Sequence, residues 1–360
     1  MKMDLMIGTY SQPILFGTGE VFCGKGEGLY LCSFDGEVIQ VKTVLPMMNP
    51  SYLAVDEERG KVYAVNEGKE FHGVYGGGIT EVNLQRDGTL HEVTSYPTQG
   101  TDPCHVAIHP NKQWIGVANF ADGSVSFFDL DDDGSLTGTC THFQHEGGGP
   151  HSIRQKGPHA HSVVFDTEGH AYVPDLGIDK LMCYDVDYKD IRLNTERTLT
   201  LAPGSGPRFA VFHNDDHFLY VINELASTVS HFTWCEDRFV YGKTISTLPK
   251  ETTVSNICSD IHITPDGHYL YASNRGHDSI TAFSICSDGD LKWVGNYACH
   301  GKTPRNFAIS PDGTCLLVGN QDSDTISVYR IDKDGSLTWI RNIDFPTPVC
   351  IQFLHKSWSI

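Results

Sequence analysis

The sequence contains no apolar run near the roughly 18 residues that a membrane-spanning helix needs. Its N-terminus also lacks the basic start and apolar core of a secretion signal, so the cytoplasm is the expected compartment. Basic residues are few, because 26 Lys and Arg stand against 45 Asp and Glu and give a formal net charge of −19. That charge repels nucleic acids and anionic membranes, so we expect neither as a partner.

Several sequence signatures of function are also missing. The 11 cysteines form no C-x-x-C pair, and scattered cysteines in a chain of 360 residues indicate reduced, buried apolar side chains. No G-x-S-x-G motif or Cys with a paired His indicates a covalent nucleophile. No glycine pattern follows a strand and opens a helix, and helical periodicity is absent. We therefore expect an all-β protein without a bound cofactor.

An internal repeat is the main feature of the sequence. Each unit has an apolar strand, a turn often reading Pro-Asp-Gly, a second strand ending in Asn plus one variable residue, and a third strand often beginning Ser-Val or Ser-Ile. The aligned first-strand positions are Tyr52, His105, His161, Phe209, Asp260, Asn306 and, in a weaker copy, Cys350. They are 44 to 56 residues apart. A period near 50 with three or four short strands per unit predicts a β-propeller.

The repeat predicts seven blades, one of which is split between the two ends of the chain. Residues 348–355 supply its first strand, and residues 5–10, 28–34 and 38–44 supply the other three. Pairing these segments closes the ring and removes exposed sheet edges. The prediction is therefore a single all-β domain over residues 1–360. A β-sandwich is the rival fold, but it does not explain intervals that are so alike.

The repeat also predicts where a functional site lies. In an antiparallel meander, the start of the first strand and the end of the second lie on the same face of the disc. These positions are 15 residues apart in five units and 14 apart in the unit that begins at His161. One mouth of the channel should collect Glu67, His105, His161, Asp175, Glu224, Asp260, Arg275 and Gln321, with Arg208 and Arg305 one place before their strands. Converging ionisable groups make that mouth the expected site.

At these residues the chain resembles the seven-bladed lactonases of the cytosolic 6-phosphogluconolactonase type, a group that includes the fungal carboxy-muconate cyclase. The matching segments span nearly the whole chain and include IGTYS, DPCHVAIHP, RQKGPHAHSVVFD, VINELASTVS and DIHITPDGHYLYASNRGHDSI. The resemblance implies hydrolysis of a sugar lactone by a His, two Arg and a Glu. These residues are His161 in PHAHSV, Arg208 in GPRF, Glu224 in NEL and Arg275 in NRGHDSI. Two longer loops, residues 12–26 and 70–77, depart from the family pattern on the site face and could alter the substrate.

Further candidates surround this set. The expected substrate-binding residues are Arg154, His159, Arg305, His105, Glu67, Asp175 and Gln321. Arg154 lies in a Gly-rich connection, so it is either a clamp for an anionic substituent or a solvated loop residue, and Arg305 is similar. His159 and His161 form an H-x-H pair that could bind a metal if both lie on a strand. No third or fourth ligand accompanies the pair in the sequence, so we expect no metal.

Lactone opening needs an attacking water, a base for its proton and positive groups at the developing oxyanion, but it needs no covalent nucleophile. We expect Glu224 or His161 to activate the water, since both side-chain types can be tuned towards neutral pH. Arg208 and Arg275 would stabilise the tetrahedral oxyanion. The expected partner is a small-molecule sugar lactone. The sequence leaves the sugar, its phosphorylation and the oligomeric state open.

Three other functions remain as alternatives. A muconate-type lactonising enzyme would use the same residues to move a carbon-bound proton. A metal-dependent sugar lactonase on a propeller would lose its activity to a chelator. A non-catalytic scaffold would show apolar patches at the mouth instead of an ionisable ring, and the Trp-Asp dipeptide of one scaffold class is absent.

Overall fold

The computed structural model describes residues 2–16, 19–187 and 190–358. Seven four-stranded antiparallel sheets account for the long strands, and inner strands of neighbouring sheets contact one another. Within the described ranges the only helical element is one turn of 3₁₀ helix, Gln321–Ser323. No helix in this part of the chain is long and apolar enough to cross a membrane. The structure confirms the predicted all-β, seven-bladed propeller.

The strands are numbered in chain order. The N-terminal part contains β1 (Met3–Thr9), β2 (Pro13–Leu15), β3 (Val21–Cys23), β4 (Gly28–Phe34), β5 (Ile39–Pro46), β6 (Leu53–Asp56), β7 (Lys61–Asn66), β8 (Glu70–Phe71), β9 (Val74–Tyr75), β10 (Gly78–Leu84) and β11 (Leu90–Pro97). The next two blades contain β12 (Pro103–Ile108), β13 (Trp114–Asn119), β14 (Ser124–Leu130), β15 (Leu136–Gln144), β16 (Val164–Phe165), β17 (Ala171–Asp175), β18 (Lys180–Val186) and β19 (Ile191–Thr200). The remainder contains β20 (Pro207–Phe212), β21 (Phe218–Asn223), β22 (Thr228–Cys235), β23 (Arg238–Ser246), β24 (Ile257–Ile263), β25 (Tyr269–Arg275), β26 (Ser279–Ile285), β27 (Leu291–Ala298), β28 (Pro304–Ile309), β29 (Cys315–Asn320), β30 (Thr325–Ile331), β31 (Leu337–Asp344) and β32 (Pro348–Leu354).

The split blade closes the ring as predicted. Its strand order is β32-β1-β4-β5, and β32 pairs antiparallel with β1 so that Ile7 lies opposite Ile351. The side chains of Ile351 and Leu354 are buried in this closure. Beyond the strand, the backbone N–H of Trp358 donates a 2.7 Å hydrogen bond to Oδ2 of Asp4. The two ends of the chain are therefore fastened by both sheet pairing and a buried polar contact.

Asp-Gly pairs form the outer hairpin turns of four blades. Each of the four Asp-Gly turns lies between the third and fourth strands of its blade, and the glycines have φ between +78° and +84°. These glycines are Gly88, Gly134, Gly289 and Gly335. Left-handed φ carries no Cβ penalty for glycine, so each Asp-Gly pair can turn the chain tightly.

The Asn that ends the second strand has a structural role. Nδ2 of Asn223 donates to Oγ1 of Thr228 at 3.0 Å and to Oγ of Ser230 at 2.9 Å, and both hydroxyls lie on the third strand of that blade. Asn119, Asn274 and Asn320 make the corresponding two contacts in their blades. The buried amide therefore fixes the place where the second strand ends. The variable residue that follows it emerges at the mouth.

A second repeated feature fixes the same place from the other side. In five blades, the residue before the proline that opens or precedes the first strand has a left-handed φ between +37° and +63°, which is uncommon outside glycine. These residues are Asn49, Asp102, Gly206, Thr303 and Thr347. Their carbonyl oxygens accept backbone hydrogen bonds, in the same order, from Glu67, Phe120, Glu224, Gln321 and Tyr10. Each blade thus presents a matched pair of residues at one face of the disc.

Candidate active site

A cavity of about 700 Å³ opens at the face where the second strands end. Its walls include seven of the residues predicted for the site, namely Glu67, Arg154, His161, Glu224, Arg275, Arg305 and Gln321. The longer loop of residues 12–26 forms the β2–β3 hairpin, which adds an apolar wall that includes Phe16 and Phe22. Residues 17 and 18 of that loop lie outside the described residues. The cavity therefore combines a charged floor with an apolar side.

Glu224 is the centre of the charged floor. Nη2 of Arg154 donates to its Oε1 at 2.6 Å, and Nη2 of Arg275 donates to its Oε2 at 2.7 Å. Nε of Arg208 lies 3.0 Å from the same Oε2. Burial alone would raise the pKa of Glu224, but Arg154, Arg275 and Arg208 together hold that pKa well below its usual value. Glu224 is therefore ionised and fully engaged with positive charge.

Arg208 and Arg275 are also anchored to the main chain. Arg208 donates from Nη1 to the carbonyl of Ser259 at 2.7 Å, and Arg275 donates from Nη2 to the carbonyl of Cys258 at 2.9 Å. The Nε groups of both arginines are fully buried, and that of Arg208 faces Oε2 of Glu224 without hydrogen-bond geometry. Burial, and then the charge of Arg275, lowers the pKa of Arg208 to about 9, so the guanidinium stays charged at neutral pH. Around Glu224, three guanidinium groups therefore face one carboxylate.

Arg305 forms a second ion pair across the cavity. Its Nη2 lies 3.8 Å from Oε1 of Glu67, and its Nη1 donates to Oε1 of Gln321 at 3.4 Å. The guanidinium lies over the ring of Tyr10 at 5.2 Å and over that of Phe16 at 5.7 Å. The Tyr10 hydroxyl donates to Oε2 of Glu67 at 2.9 Å. These contacts hold Arg305 against the hairpin side of the mouth.

His161 presents a neutral imidazole to the cavity. Its Nδ1 lies 3.5 Å from Sγ of Cys104, and its ring packs edge-on against Phe120 with centroids 5.1 Å apart. Burial, and then the charge of Arg208, holds the pKa of His161 well below its usual value. A neutral ring can accept a hydrogen bond as well as donate one.

Four predicted site residues do not line the cavity, and one of them is Arg208, described above. His159 stacks on Phe120 with ring centroids 4.8 Å apart, and its Nδ1 lies 2.8 Å from the carbonyl oxygen of Phe120. His105 lies deeper in the channel, where burial lowers its pKa to about 3. Oδ2 of Asp260, another residue of the predicted ring, accepts from Nδ2 of Asn306 at 2.7 Å and also lies below the mouth.

Asp175 is the fourth of these residues, and its carboxylate accepts hydrogen bonds from the loop that carries the histidines. Its Oδ1 accepts backbone hydrogen bonds from His159 at 2.7 Å and Gly177 at 2.9 Å. Its Oδ2 lies 2.6 Å from Nδ1 of His145, whose Nε2 lies 2.8 Å from the hydroxyl of Tyr184. The contacts of Asp175 thus position the backbone beside His161 instead of facing a ligand.

The H-x-H pair does not converge on one point, because His159 is directed towards Phe120 and His161 towards the cavity. Among residues 2–16, 19–187 and 190–358, no three His, Cys, Asp or Glu side chains are grouped as metal ligands.

Two polar residues that bear on the chemistry of the cavity, among several unpredicted residues there, are Asp102 and Tyr10. Asp102 lies on the cavity wall, and Tyr10 lies behind Arg305. Both belong to the repeated mouth pairs described above, Asp102 before the proline that opens β12 and Tyr10 after the end of β1. The recurring X-Pro step before each first strand is the sequence signal that marks Asp102. The spacing rule carried across the split blade marks Tyr10.

Comparison with known proteins agrees with this architecture. Residues 4–353 match the family described as "Lactonase, 7-bladed beta-propeller". A 6-phosphogluconolactonase of Bacillus subtilis is 32% identical over 361 residues, covering 97% of this chain and 98% of that protein. One from Formosa agariphila is 33% identical over 79% of this chain and 82% of its own length. The periplasmic gluconolactonase of Pseudomonas aeruginosa superposes with a TM-score of 0.89 at 27% identity, covering 98% of this chain and 99% of that one. The chain therefore belongs to the lactonase family of seven-bladed β-propellers.

Proposed function

We propose that this protein hydrolyses the lactone of a sugar acid and that its substrate carries an anionic group, most simply a phosphate. The observation that carries the proposal is the convergence of Arg154, Arg208, Arg275 and Arg305 on one mouth of a protein whose net charge is −19. These four guanidinium groups pair with only two carboxylates, those of Glu224 and Glu67, so an anionic ligand can compensate the remaining positive charge. The full-length relatives named 6-phosphogluconolactonase support the phosphorylated form.

Arg208 and Arg275 are the proposed oxyanion-stabilising groups. Water adds to the lactone carbonyl, and the negative charge that develops on the carbonyl oxygen is met by guanidinium groups already held in place. Their alignment is set by Glu224, which contacts both. One preorganised donor of this kind contributes about 10²- to 10³-fold to kcat.

Glu224 is better suited to holding arginines than to taking a proton. Its pKa is kept well below the usual value, so its carboxylate is a weak base. His161 is neutral and lines the same cavity, so its imidazole can hydrogen-bond either to the attacking water or to the carbonyl. Of the two residues proposed for contact with the water, His161 has the more suitable protonation state.

Arg154 and Arg305 are the proposed clamp for the anionic substituent. Both lie on the cavity wall, with side chains 15% and 13% exposed, and each is already paired with a carboxylate. A planar guanidinium can bind two oxygens of a phosphate at once. The aromatic residues Phe16 and Phe22 of the hairpin could then cover the apolar face of the sugar ring.

The test is a panel of freshly prepared aldonolactones, with and without a phosphate, timed against their spontaneous hydrolysis. We expect a clear acceleration of ring opening, with kcat/KM higher for the phosphorylated member. Equal kcat/KM values would contradict the anionic clamp while leaving the lactonase activity standing. No acceleration of any lactone, together with cyclisation of a muconate, would replace the proposal by the lactonising alternative.

A further inference from the structure

Among the residues that the structure describes, Oδ1 of Asp102 is the one fully buried carboxylate oxygen of the cavity wall that has no hydrogen-bond partner. The other carboxylates are engaged. Glu224 accepts from two arginines, and Glu67 accepts from the Tyr10 hydroxyl. Asp322 accepts from Oγ1 of Thr303 and from Nε2 of Gln321. The carboxylate of Asp102 forms an ion pair with Lys69, whose Nζ lies 3.7 Å from its Oδ2.

The backbone does not require an aspartate at this position. Asp102 has φ +51°, fixed by hydrogen bonds from its N–H to the carbonyl of Gly68 at 3.0 Å and from the N–H of Phe120 to its own carbonyl at 3.0 Å. The equivalent residue in other blades is Asn49, Gly206 or Thr303. Because these contacts use main-chain atoms only, the carboxylate of Asp102 is not needed to hold the backbone conformation.

The surroundings of Asp102 favour exchange of its proton near neutral pH. The ionisable groups that face it are Glu67 at the end of β7, Lys69 in the next loop, Cys104 on β12 and Asp122 after β13. Burial, and then the charge of Glu67, raises the pKa of Asp102 to about 7, while Lys69 opposes that shift. A general base is most effective when its pKa lies near the working pH.

We propose that Asp102 is the general base that takes a proton from the attacking water. The water oxygen forms a bond to the lactone carbonyl carbon, its O–H bond breaks, and the proton moves to a carboxylate oxygen of Asp102. The carbonyl π electrons move to the oxygen beside the arginines. When the ring C–O bond breaks, Asp102 returns the same proton to the ring alkoxide. This inference rests on the proposed lactonase function and adds a residue to it.

The first test is Asp102→Asn. Asn has nearly the same shape and tolerates left-handed φ, so the fold should be retained. In the wild type, kcat/KM should fall as the pH drops through about 7, because protonation removes the base. In the variant, kcat should fall by about 100-fold or more. The decrease of kcat/KM at low pH, which we call the acid limb of the profile, should disappear. A variant that retains wild-type kcat and the same acid limb would overturn the inference.

The matched control is Asp216→Asn. Asp216 is also a left-handed aspartate, with φ +54°, but it lies in the turn between β20 and β21 and accepts a hydrogen bond from the Thr167 N–H at 2.7 Å. This control should keep wild-type kcat and the wild-type pH profile. A similar loss in both variants would show that left-handed aspartates act through folding, and the inference would fail.

Lys69→Met tests the role of the Asp102 carboxyl while leaving Asp102 itself unchanged. The Lys69 side chain is 44% exposed, so its removal should leave the fold intact. Loss of the positive charge raises the pKa of Asp102, and the midpoint of the acid limb should therefore move to higher pH. An unmoved midpoint would assign the limb to another group.

A measurement that needs no turnover separates the two proposals. Carbon-13 NMR of aspartate carboxyls should show one group that titrates near pH 7 in the wild type and is missing from Asp102→Asn. Without that titration Asp102 is not the base, whatever the activity. If the titration is present but no lactone is opened, the proposed function fails, and with it the role of Asp102 in water activation.

Discussion

Nη2 of Arg275 donates a 2.7 Å hydrogen bond to Oε2 of Glu224, and this contact joins the second-strand ends of two neighbouring blades. Glu224 follows the last residue of β21, and Arg275 is the last residue of β25. The same Nη2 also donates to the carbonyl of Cys258 at 2.9 Å. One guanidinium is therefore oriented by both the repeat geometry and a main-chain oxygen. Its side chain is 12% exposed and lines the cavity, where a ligand can reach it.

The contact predicts the effect of Arg275→Lys. Lysine keeps the charge but has no planar fork, so it cannot hold Glu224 and meet a developing oxyanion at once. We expect kcat to fall by about 10²- to 10³-fold while the circular dichroism spectrum stays unchanged. The control is Arg330→Lys, because the Arg330 side chain is 57% exposed and pairs with Asp332 away from the cavity. A near wild-type rate for Arg275→Lys would show that Arg275 does not stabilise the oxyanion.

Arg305→Lys should affect binding more than turnover. Arg305 is held against Glu67 and the Tyr10 ring, across the cavity from Glu224. If it binds a phosphate through two donors, the change should raise KM for a phosphorylated lactone by about tenfold, the equivalent of one charged hydrogen bond. The KM for the unphosphorylated lactone should be nearly unchanged. Steady-state kinetics with both substrates tests this prediction. Equal changes in the two KM values would show that Arg305 does not bind the phosphate.

The ring, its closure and the functional face could all be predicted from the sequence, because they depend on the repeat. The Asn residues that end the second strands fix which residue emerges at the mouth, so spacing alone placed Glu67, Glu224, Arg275 and Gln321 on the cavity wall.

The spacing of the repeat does not define the orientation of a side chain at the mouth of the channel. Asp175 is at the predicted end of its strand, but His145 reaches it from a neighbouring connection and occupies its Oδ2. His105 is on the predicted strand, but its ring packs against Tyr52 with centroids 4.1 Å apart and does not line the cavity. Asp102 was not predicted as a site residue because its raised pKa comes from burial and from the charge of Glu67, which belongs to the neighbouring blade. Such contacts depend on the three-dimensional course of the loops.

Closure of the ring can be tested with Ile351→Ala. Ile351 is 3% exposed, pairs with Ile7 across the closing strands and packs in the cluster that contains Leu317. Truncating it removes buried methyl groups and leaves a cavity, so the free energy of unfolding should fall by about 2–4 kcal/mol. Gln352→Ala, one residue further along β32 and half-buried, should cost much less. Denaturant unfolding of both variants tests this, and equal stabilities would mean that β32 contributes little to closure.

Activity should not depend on a metal. His159 and His161 are the residues most suggestive of a metal site, but Nδ1 of His159 lies 2.8 Å from the carbonyl oxygen of Phe120, and Nδ1 of His161 lies 3.5 Å from Sγ of Cys104. Positive charge for the oxyanion already comes from Arg208 and Arg275, so no Lewis acid is needed for that step. Prolonged dialysis against EDTA should leave kcat unchanged, and elemental analysis should find well below one metal ion per chain. If activity is lost and Ca²⁺ or Zn²⁺ restores it, the arginine-based mechanism is wrong and a metal ion activates the attacking water instead.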